Sequence, residues 1–482
     1  MRVFFIGICG TAMGNAAVLL KKMGHDVAGS DAGVYPPMSE VLEDSGIQLF
    51  EGFAEEEMIN WQPDRVVVGN AVSRGNPQVE KLLIDRETPF VSLPQLIGED
   101  LIGNRPSIVV AGTHGKTTTT ALAAYSLHSS AINPGYLIGG VPLDLPAGNE
   151  LGGLSAPFVI EGDEYDSAFF DKRSKFIHYR PRILILNNLE FDHGDIFRDL
   201  EDISRSFSHL LRIVPSNGYV LRNGDDPNLL ALPDSPWTQV FSVGVGKFND
   251  LVIADFNEDA SGSQFDLVWR GELVRQIKFG MPGLFNARNL AMAMLSASLV
   301  QSFDREKQSV SENPFWGAKE IDYSNCRGVK RRQEVLLDQG DLLVLSDFAH
   351  HPTAIYGALE SLRSRWPDRR IIACFEPRSN TAVTNVFQDR FAESLALADH
   401  ALIGQVHRAE RIASEKRIDT QEIVKFIKAK GRLANAFESN RKLGDFLQHE
   451  FVSDSKVKSM VVFFSNGSFD GIIQEFVEVV RN

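Results

Sequence analysis

Short apolar runs recur along the chain, and many of them end in a polar or glycine-containing loop. In the first hundred residues such runs lie at 2–6, 27–31 and 66–68. The segment GICGTAMG, which follows the first run, leads into a helical stretch that extends to about Met23. Strand-length runs that alternate with helical stretches are typical of parallel α/β sheets. The pattern therefore predicts that the chain begins with a Rossmann-like domain.

The same alternation continues through the rest of the chain. The segment 218–280 is richer in strand-forming residues than its surroundings. A length of 482 residues exceeds what one hydrophobic core usually holds. Further strands are predicted at 108–110, 183–186, 342–345, 371–375, 401–403 and 461–464, and a helix at 282–294. We therefore predict an α/β protein of three domains: a Rossmann-like domain at 1–104, a central P-loop-type ATPase domain at 105–325 and a Rossmann-like C-terminal domain at 326–482.

Composition narrows the class of protein. The net charge of −14 argues against a surface for nucleic acid or for an anionic membrane. Cys9, Cys326 and Cys374 lie too far apart for a disulfide framework or a metal motif, which indicates a reducing compartment. The first residues read as a strand rather than a signal peptide, and no apolar stretch reaches 18 residues. We expect a cytoplasmic protein without nucleic-acid or membrane partners, as a monomer or weak homodimer.

The run AGTHGKTTTT at 111–120 combines glycines, a lysine and four threonines directly after an apolar strand. A strand, a tight loop and a helix form the geometry that holds a nucleotide phosphate, because glycines let backbone N–H groups approach it. The lysine suits the phosphate charge and the first threonine suits magnesium. Val110 stands where a strict P-loop has its first glycine, so a bare turn is the alternative. The predicted ATP-binding residues are Gly112, Thr113, His114, Gly115, Lys116, Thr117 and Thr118.

Two further strand ends carry residues suited to magnesium. In VIEGDEYD, Glu161 is the first polar residue after the strand, and Asp163 and Glu164 are weaker candidates for a hard oxygen ligand. In LEFDHGD, His193 follows a parallel strand and so lies at the carboxyl edge, where α/β sheets bind ligands. The alternatives are a solvated acidic loop and a capping or surface histidine. Beside an ATP loop we favour magnesium ligands.

The first loop, GICGTAMG, spaces its glycines as GxxGxxxG rather than GxGxxG. Asp31 ends the next strand, where a Rossmann acid holds a ribose hydroxyl. A nucleotide diphosphate at the following helix is the preferred interpretation, with a purely structural turn as the alternative. An NAD-dependent redox or sensor protein is a rival of another class, which the glycine spacing and the ATP-type loop disfavour.

The last third of the chain repeats this pattern of polar strand ends. LSDFAHHPTAI places Asp347, His350 and His351 after one strand, and two adjacent histidines are expected to point in different directions. CFEPRSNT places Arg378 after another strand, where it suits a carboxylate. The basic run KRRQ either reaches ATP or forms a solvated turn. These strand ends therefore suit the binding of an anion such as a carboxylate.

Together, the segments GTHGKTTTT, VIEGDEYD, LEFDHGD, FNARN, GVKRR and DFAHHPT resemble the motifs of the Mur ligase family, in the family's order and approximate spacing. Members of this family are ATP-dependent enzymes that join amino acids or peptides to UDP-linked muramic acid. The resemblance spans essentially the whole chain. It implies a three-domain fold, ATP and Mg²⁺ as cofactors, and amide-bond formation through an acyl phosphate.

Within the family, several segments are more similar to one branch than to another. GICGTAMG, DAGVYPPMS, VVVGNAVSRGNPQVE and CFEPRSNT resemble members that attach a recycled murein tripeptide, L-alanyl-γ-D-glutamyl-meso-diaminopimelate. Members that attach free L-alanine carry an additional arginine where Ser379 and Asn380 stand here. We therefore expect UDP-N-acetylmuramate and the murein tripeptide as substrates in peptidoglycan recycling. Free L-alanine is the alternative amine, and a non-catalytic ATP-binding regulator is a third possibility.

The resemblance also implies a role for each motif. It implies that the UDP diphosphate contacts Gly10, Thr11, Met13 and Gly14, and that the uridine lies near Ser30 and Asp31. It implies catalytic roles for Lys116, Glu161, His193 and His350, with Thr117 and Glu161 on the first magnesium and His193 on the second. Adenine would contact Asn286 and Asn289, the rest of ATP would contact Arg331 and Asp347, and the peptide would face His350, Arg378, Ser379 and Asn380.

Overall fold

The structure is a computed structural model that describes residues 1–302, 313–453 and 457–481. Its N-terminal strands are β1 (Arg2–Ile6), β2 (Asp26–Asp31), β3 (Gln48–Glu51), β4 (Arg65–Val68) and β5 (Phe90–Ser92). Its N-terminal helices are α1 (Thr11–Lys22), α2 (Met38–Asp44), α3 (Glu55–Trp61), α4 (Pro77–Asp85) and α5 (Leu93–Leu96), and a π-helical segment follows at Ile97–Ile102. The five strands form a parallel sheet in the order β3-β2-β1-β4-β5. The first glycine loop therefore lies at the carboxyl edge of its central strand, β1.

The central sheet has ten strands and carries the ATP-type loop. The strands are β6 (Ser107–Ala111), β7 (Gly135–Leu137), β8 (Asn149–Glu150), β9 (Phe158–Gly162), β12 (Ile183–Leu186), β13 (Tyr219–Asn223), β14 (Gln239–Gly244), β15 (Leu251–Asp259), β16 (Gly262–Trp269) and β17 (Glu272–Phe279). The helices are α6 (Lys116–Ser129), α7 (Leu200–Arg212), α8 (Pro227–Leu230) and α9 (Leu284–Ser302). A separate hairpin is formed by β10 (Asp166–Ala168) and β11 (Asp171–Ser174).

The order of the central sheet explains how its motifs converge. The order is β17-β16-β15-β14-β13-β12-β6-β9-β7-β8. Strand β6 lies between β12 and β9 and pairs with both in parallel, so the loops after these three strands meet at one edge. The strand-rich segment predicted at 218–280 extends the sheet on the other side, where β15, β16 and β17 pair antiparallel.

The C-terminal sheet has six strands, β18 (Glu334–Asp338), β19 (Leu342–Asp347), β20 (Arg370–Phe375), β21 (His400–Ile403), β22 (Leu433–Ala436) and β23 (Ser459–Phe464). Its helices are α10 (Pro352–Arg365), α11 (Gln388–Leu395), α12 (Thr420–Ala429), α13 (Asn440–Ser453) and α14 (Ile472–Arg481). The order is β18-β19-β23-β20-β21-β22, and only the edge strand β18 is antiparallel among the described pairings.

The first two sheets share one hydrophobic core. Val3 and Phe5 of β1 belong to the same buried cluster as Val109 of β6 and Phe158 of β9. Residues of the π-helical segment Ile97–Ile102 fill the space between them. A continuous core of this kind fixes the first glycine loop relative to the ATP-type loop, because burial of apolar surface is lost if the sheets separate.

The three-domain α/β fold predicted from the sequence is confirmed, and the predicted strands occur within a few residues of the expected positions. The domain limits at 104/105 and 325/326 stay predictions. In the described part of the chain, no helix combines the length and the apolar character needed to cross a membrane.

Candidate active site

The ATP-type loop connects β6 to α6 through two glycines in conformations that other residues rarely adopt. Gly112 has φ +139° and Gly115 has φ +79°. A Cβ atom at Gly115 would lie 2.8 Å from Asn289 Oδ1, so a larger residue would also collide with α9. The buried helix α6 begins directly after this turn, at Lys116. The loop therefore presents the positive end of a helix to the carboxyl edge of the sheet.

Lys116 lies at the centre of the site. Its ammonium group donates to the Gly112 carbonyl at 2.8 Å and to Glu164 Oε2 at 3.0 Å, and Asp163 Oδ1 lies 3.8 Å away. Burial alone would lower the pKa of Lys116, but the carboxylates of Glu164, Asp163 and Glu161 outweigh it and raise the pKa to about 12. The side chain is therefore a permanent positive charge directed over the loop.

Glu161 and Thr117 form a pair of oxygen ligands beside this lysine. The Thr117 hydroxyl donates to Glu161 Oε2 at 2.9 Å, and the Gly139 N–H donates to the other carboxylate oxygen. Burial raises the pKa of Glu161, and the charge of Asp163 raises it further. Neighbouring ligands of an octahedral Mg²⁺ with bonds of 2.0–2.1 Å lie about 2.9 Å apart. The separation of the two oxygens therefore matches that of neighbouring magnesium ligands, and only the hydroxyl hydrogen would have to turn away.

His193 faces the same group of charges from the loop after β12. Its Nε2 lies 3.1 Å from Glu164 Oε1, and its backbone has φ +54°. Burial would lower the pKa of His193, but the hydrogen bond and the charge of Glu164 raise it. Glu164, of which only 3% is exposed, therefore links Lys116 to His193. The arrangement can hold a second divalent cation or a phosphate oxygen.

Asparagine side chains form the wall behind the loop. Asn289 lies against Gly115, whereas the Asn286 amide donates to the Pro282 carbonyl at 2.6 Å. From the β12 side, Asn188 Oδ1 accepts the His114 N–H at 2.7 Å, and the Asn187 amide donates to the Thr119 hydroxyl at 2.9 Å. The contacts of Asn187 and Asn188 attach the loop and the start of α6 to the segment that follows β12. Of the two asparagines predicted to contact adenine, Asn289 directly borders the loop.

The basic run before β18 lies at the junction with the C-terminal sheet. Arg331 donates to the backbone carbonyls of Ser465 and Gly467, and Asp347 accepts the Gln333 N–H at 3.0 Å and the Ala349 N–H at 2.7 Å. Burial raises the pKa of Asp347. The guanidinium of Arg332 packs on the Phe348 ring at 4.7 Å. Arg331 and Asp347 therefore shape this junction, with Arg332 beside them.

A cavity of about 860 Å³ joins the first glycine loop to the Glu161 region. Its lining at one end includes Gly10, Thr11, Met13 and Asp31, and at the other end Gly139, Glu161, Asp163 and Lys175. The Asp31 carboxylate accepts the Cys9 N–H at 2.9 Å and the Gly33 N–H at 3.2 Å, which pins the loop. A single elongated ligand can therefore reach from the N-terminal sheet to Glu161, which bonds to Thr117 of the ATP-type loop.

Two residues of the predicted diphosphate and uridine set lie outside this lining. Ser30 is fully buried and donates to Gln78 Oε1 at 2.6 Å. Gly14 lies under Met38, whose sulfur would be 2.3 Å from a Cβ atom at that position. Both residues support the shape of the loop through packing, because α1 and β2 turn these positions toward the protein interior.

The predicted peptide-facing residues lie where the C-terminal sheet meets the central sheet. His350 Nδ1 bonds to the Phe348 carbonyl at 2.9 Å, and burial lowers the pKa of His350. Arg378 Nη1 lies 3.3 Å from the buried carboxylate of Glu376. Ser379 Oγ accepts the Ala382 N–H, and the Asn380 amide donates to Asp195 Oδ2 at 2.9 Å across the junction.

Thr381, the residue after Asn380, makes a second hydrogen bond across the junction between the central and C-terminal sheets. The Thr381 hydroxyl donates to Asp192 Oδ1 at 2.6 Å, and both residues are buried. Asp192 directly precedes His193 and its pKa is lowered, since the charge of His193 and the Thr381 hydroxyl overcome the effect of burial. The EPRSNT segment thus holds the loop that carries His193, a tertiary contact that sequence spacing alone does not reveal.

The chain matches three consecutive family models, which together cover most of its length. Residues 2–99 match "Mur ligase family, catalytic domain", residues 110–297 match "Mur ligase middle domain", and residues 331–449 match "Mur ligase, glutamate ligase domain". The three matches correspond to the three large sheets described above.

Relatives of full or nearly full length are similar to the chain. An Escherichia coli K12 protein named UDP-N-acetylmuramate–L-alanyl-γ-D-glutamyl-meso-2,6-diaminoheptandioate ligase is 42% identical over 415 residues, which cover 84% of this chain and 85% of that protein. A Salinibacter ruber UDP-N-acetylmuramate–L-alanine ligase is 31% identical over 86% of this chain and 82% of its own length. The crystal structure of a murein peptide ligase from Psychrobacter arcticus matches with a TM-score of 0.66 and 36% identity, covering 100% of this chain and 99% of the other.

Proposed function

The chain belongs to the Mur ligase family. We propose that it joins the tripeptide L-alanyl-γ-D-glutamyl-meso-diaminopimelate to UDP-N-acetylmuramate and converts ATP to ADP and phosphate. The observation that carries the proposal is the cavity from Gly10 to Glu161, which places one end of an elongated ligand beside the ATP-type loop. The chain is 42% identical to a tripeptide ligase and 31% identical to an L-alanine ligase, which supports the tripeptide as the amine substrate.

The chemistry requires activation of a carboxylate. An amine cannot expel oxide from a carboxylate, so the lactyl oxygen of UDP-N-acetylmuramate first attacks the γ-phosphorus of ATP, releasing ADP. The resulting acyl phosphate has phosphate as its leaving group. The L-alanyl amine then attacks the carbonyl carbon, and phosphate departs from the tetrahedral intermediate with the carboxylate's own oxygen. This sequence needs positioning and charge neutralisation more than covalent catalysis by the protein.

The residues around the ATP-type loop are suited to these tasks. Lys116 would neutralise the phosphate oxygens that gain charge, and the backbone N–H groups at the start of α6 would hold the phosphate. Thr117 and Glu161 would hold one Mg²⁺ and His193 with Glu164 a second, and the metal when bound would offset the charge of the nucleotide. We propose Asn289 and Arg331 for the nucleotide, together with Asn286 and Asp347, which shape its pocket.

His350 is the candidate acceptor for the amine proton. The Phe348 carbonyl can only accept a hydrogen bond, so Nδ1 carries the hydrogen and Nε2 keeps its lone pair. Burial lowers the pKa of His350, which keeps this neutral form available near pH 7. An α-amino group titrates near pH 8, so loss of one proton readies it for attack. Arg378 would bind a carboxylate of the tripeptide.

The reaction can be followed by the fate of an oxygen atom. With UDP-N-acetylmuramate labelled by ¹⁸O in the lactyl carboxylate, we expect one labelled oxygen to appear in the phosphate product for each amide bond formed. Mass spectrometry of the phosphate measures this transfer. Omitting the amine controls for ATP hydrolysis by water, which leaves the label in the sugar. Amide formation with unlabelled phosphate would contradict the acyl-phosphate route.

The proposed compartment is the cytoplasm. Cys9, Cys326 and Cys374 form no disulfide bond, and Cys326 and Cys374 are buried. Cysteines that remain outside disulfide bonds are usual in a reducing environment.

A further inference from the structure

Three side chains with metal-binding atoms converge at the junction between the ATP-type loop and the C-terminal sheet. His114 belongs to the loop, Glu190 follows β12, and His351 caps α10. His114 Nε2 lies 3.1 Å from His351 Nδ1 and 3.8 Å from Glu190 Oε1, and His351 Nδ1 lies 3.9 Å from Glu190 Oε2. The three residues come from segments that are far apart in sequence, so only the fold brings them together. We call them the junction triad.

The distances within the junction triad fit a small divalent ion. His114 Nε2 and His351 Nδ1 lie 3.1 Å apart, and one ligand atom from each of the three residues lies within 4.8 Å of the other two. Ligands of a tetrahedral zinc ion with bonds of about 2 Å lie about 3.3 Å apart, so the three side chains can converge on one small ion. Two imidazole nitrogens and one carboxylate are a donor set for zinc, cobalt, nickel or iron(II) rather than for magnesium. The triad therefore differs in its chemistry from the oxygen-rich site at Thr117 and Glu161.

Hydrogen bonds around the triad orient its ligands. The Thr353 N–H points at His351 Nδ1 from 3.4 Å, so this nitrogen is unprotonated and accepts hydrogen bonds. An ion bound between His351 Nδ1 and His114 would take over the lone pair from this long contact. The opposite nitrogen, Nε2, is buried without a hydrogen-bond partner among the described residues. The Glu190 carboxylate is held by the Thr353 hydroxyl at 2.7 Å and by Arg390 at 3.3 Å. Carboxylate and imidazole ligands fixed by such second contacts are characteristic of metal sites.

We propose that His114, Glu190 and His351 bind a divalent transition-metal ion of the zinc class. One coordination position stays open for water, because the protein supplies three ligands. A bound ion ties the ATP-type loop directly to the first turn of α10 and so fixes the central and C-terminal sheets against each other. The triad adjoins the ligation site, because His114 belongs to the ATP-type loop, but none of its ligands belongs to the proposed magnesium set.

The test uses Co²⁺, whose visible absorption reports nitrogen ligation and low coordination number. The full-length protein carries His193→Gln so that this histidine does not contribute, and millimolar Mg²⁺ occupies the oxygen-rich site. We expect one equivalent of Co²⁺ to bind with a visible band. Adding His351→Asn, which keeps a capping side chain on α10, or Glu190→Gln is expected to weaken binding by at least about tenfold.

His209 offers a matched control, because it is an exposed histidine on α7. In the same background, His209→Gln is expected to leave the stoichiometry and the visible band unchanged. Thermal melts of each variant show whether it is folded. If the His351→Asn protein does not fold, the Glu190→Gln protein decides the outcome. Absence of a bound equivalent in the His193→Gln protein, or unchanged binding after loss of a triad residue, would overturn the proposal and leave the two histidines sharing a hydrogen bond.

Discussion

Replacing Lys116 by alanine is expected to abolish ligation while binding of UDP-N-acetylmuramate persists. The ammonium group is the cation in hydrogen-bond contact with both the loop carbonyl of Gly112 and the buried Glu164. Loss of one preorganised donor to a charged transition state costs about 3 kcal/mol or more, which corresponds to a rate loss on the order of a hundredfold or greater. The UDP end of the cavity, at Gly10 and Asp31, lies on another sheet and is not altered.

Single-turnover product formation and equilibrium binding of the UDP-sugar measure the two halves of this prediction. Lys172→Ala is the matched control, because Lys172 is an exposed lysine paired with Asp166 on the hairpin. It is expected to retain normal turnover. Normal turnover in the Lys116→Ala protein would remove the ATP-type loop from the mechanism, and loss of UDP-sugar binding would show that the change acts through the fold.

Replacing Glu161 by glutamine is expected to produce the second large loss. Glutamine keeps an oxygen that can accept from the Gly139 N–H, and its amide group can donate to the Thr117 oxygen, so the local structure is retained. It removes the negative charge that would hold magnesium. We expect the turnover rate to fall by roughly a hundredfold, on the scale of losing one electrostatic contributor, and the Mg²⁺ concentration for half-maximal rate to rise.

The measurement is initial rate as a function of Mg²⁺ at saturating ATP. Glu201→Gln on α7 controls for loss of one negative charge, since its side chain is 86% exposed. An unchanged magnesium dependence in the Glu161→Gln protein would assign the metal to other carboxylates, of which Asp163 and Glu164 are the nearest.

The sequence was sufficient to place the central motifs because parallel strands align their carboxyl ends. Lys116, Glu161 and His193 each follow a strand, and β6, β9 and β12 are neighbours in the sheet. The alignment of strand ends does not show which of the acidic residues after β9 contacts Lys116 and His193. Glu164 was a weaker candidate, yet it contacts both Lys116 and His193, because the turn after β9 directs its side chain inward.

The contacts across the junction were beyond the reach of sequence patterns. Asn380 was expected to face the peptide, but its amide donates to Asp195, and the neighbouring Thr381 holds Asp192. Ser30 was expected near the uridine, but its hydroxyl is satisfied by Gln78 of α4. In each case the partner is distant in the chain, so hydrophobic periodicity and local spacing carry no information about it.

The identity of the amine can be tested by measuring ATP-dependent phosphate release with UDP-N-acetylmuramate and each candidate amine. We expect rapid release with L-alanyl-γ-D-glutamyl-meso-diaminopimelate and no release when UDP-N-acetylmuramate is omitted. For free L-alanine we expect kcat/KM to be lower by at least about a hundredfold, on the scale of discrimination by a few lost contacts. Equal or preferred use of free L-alanine would contradict the assignment of the tripeptide.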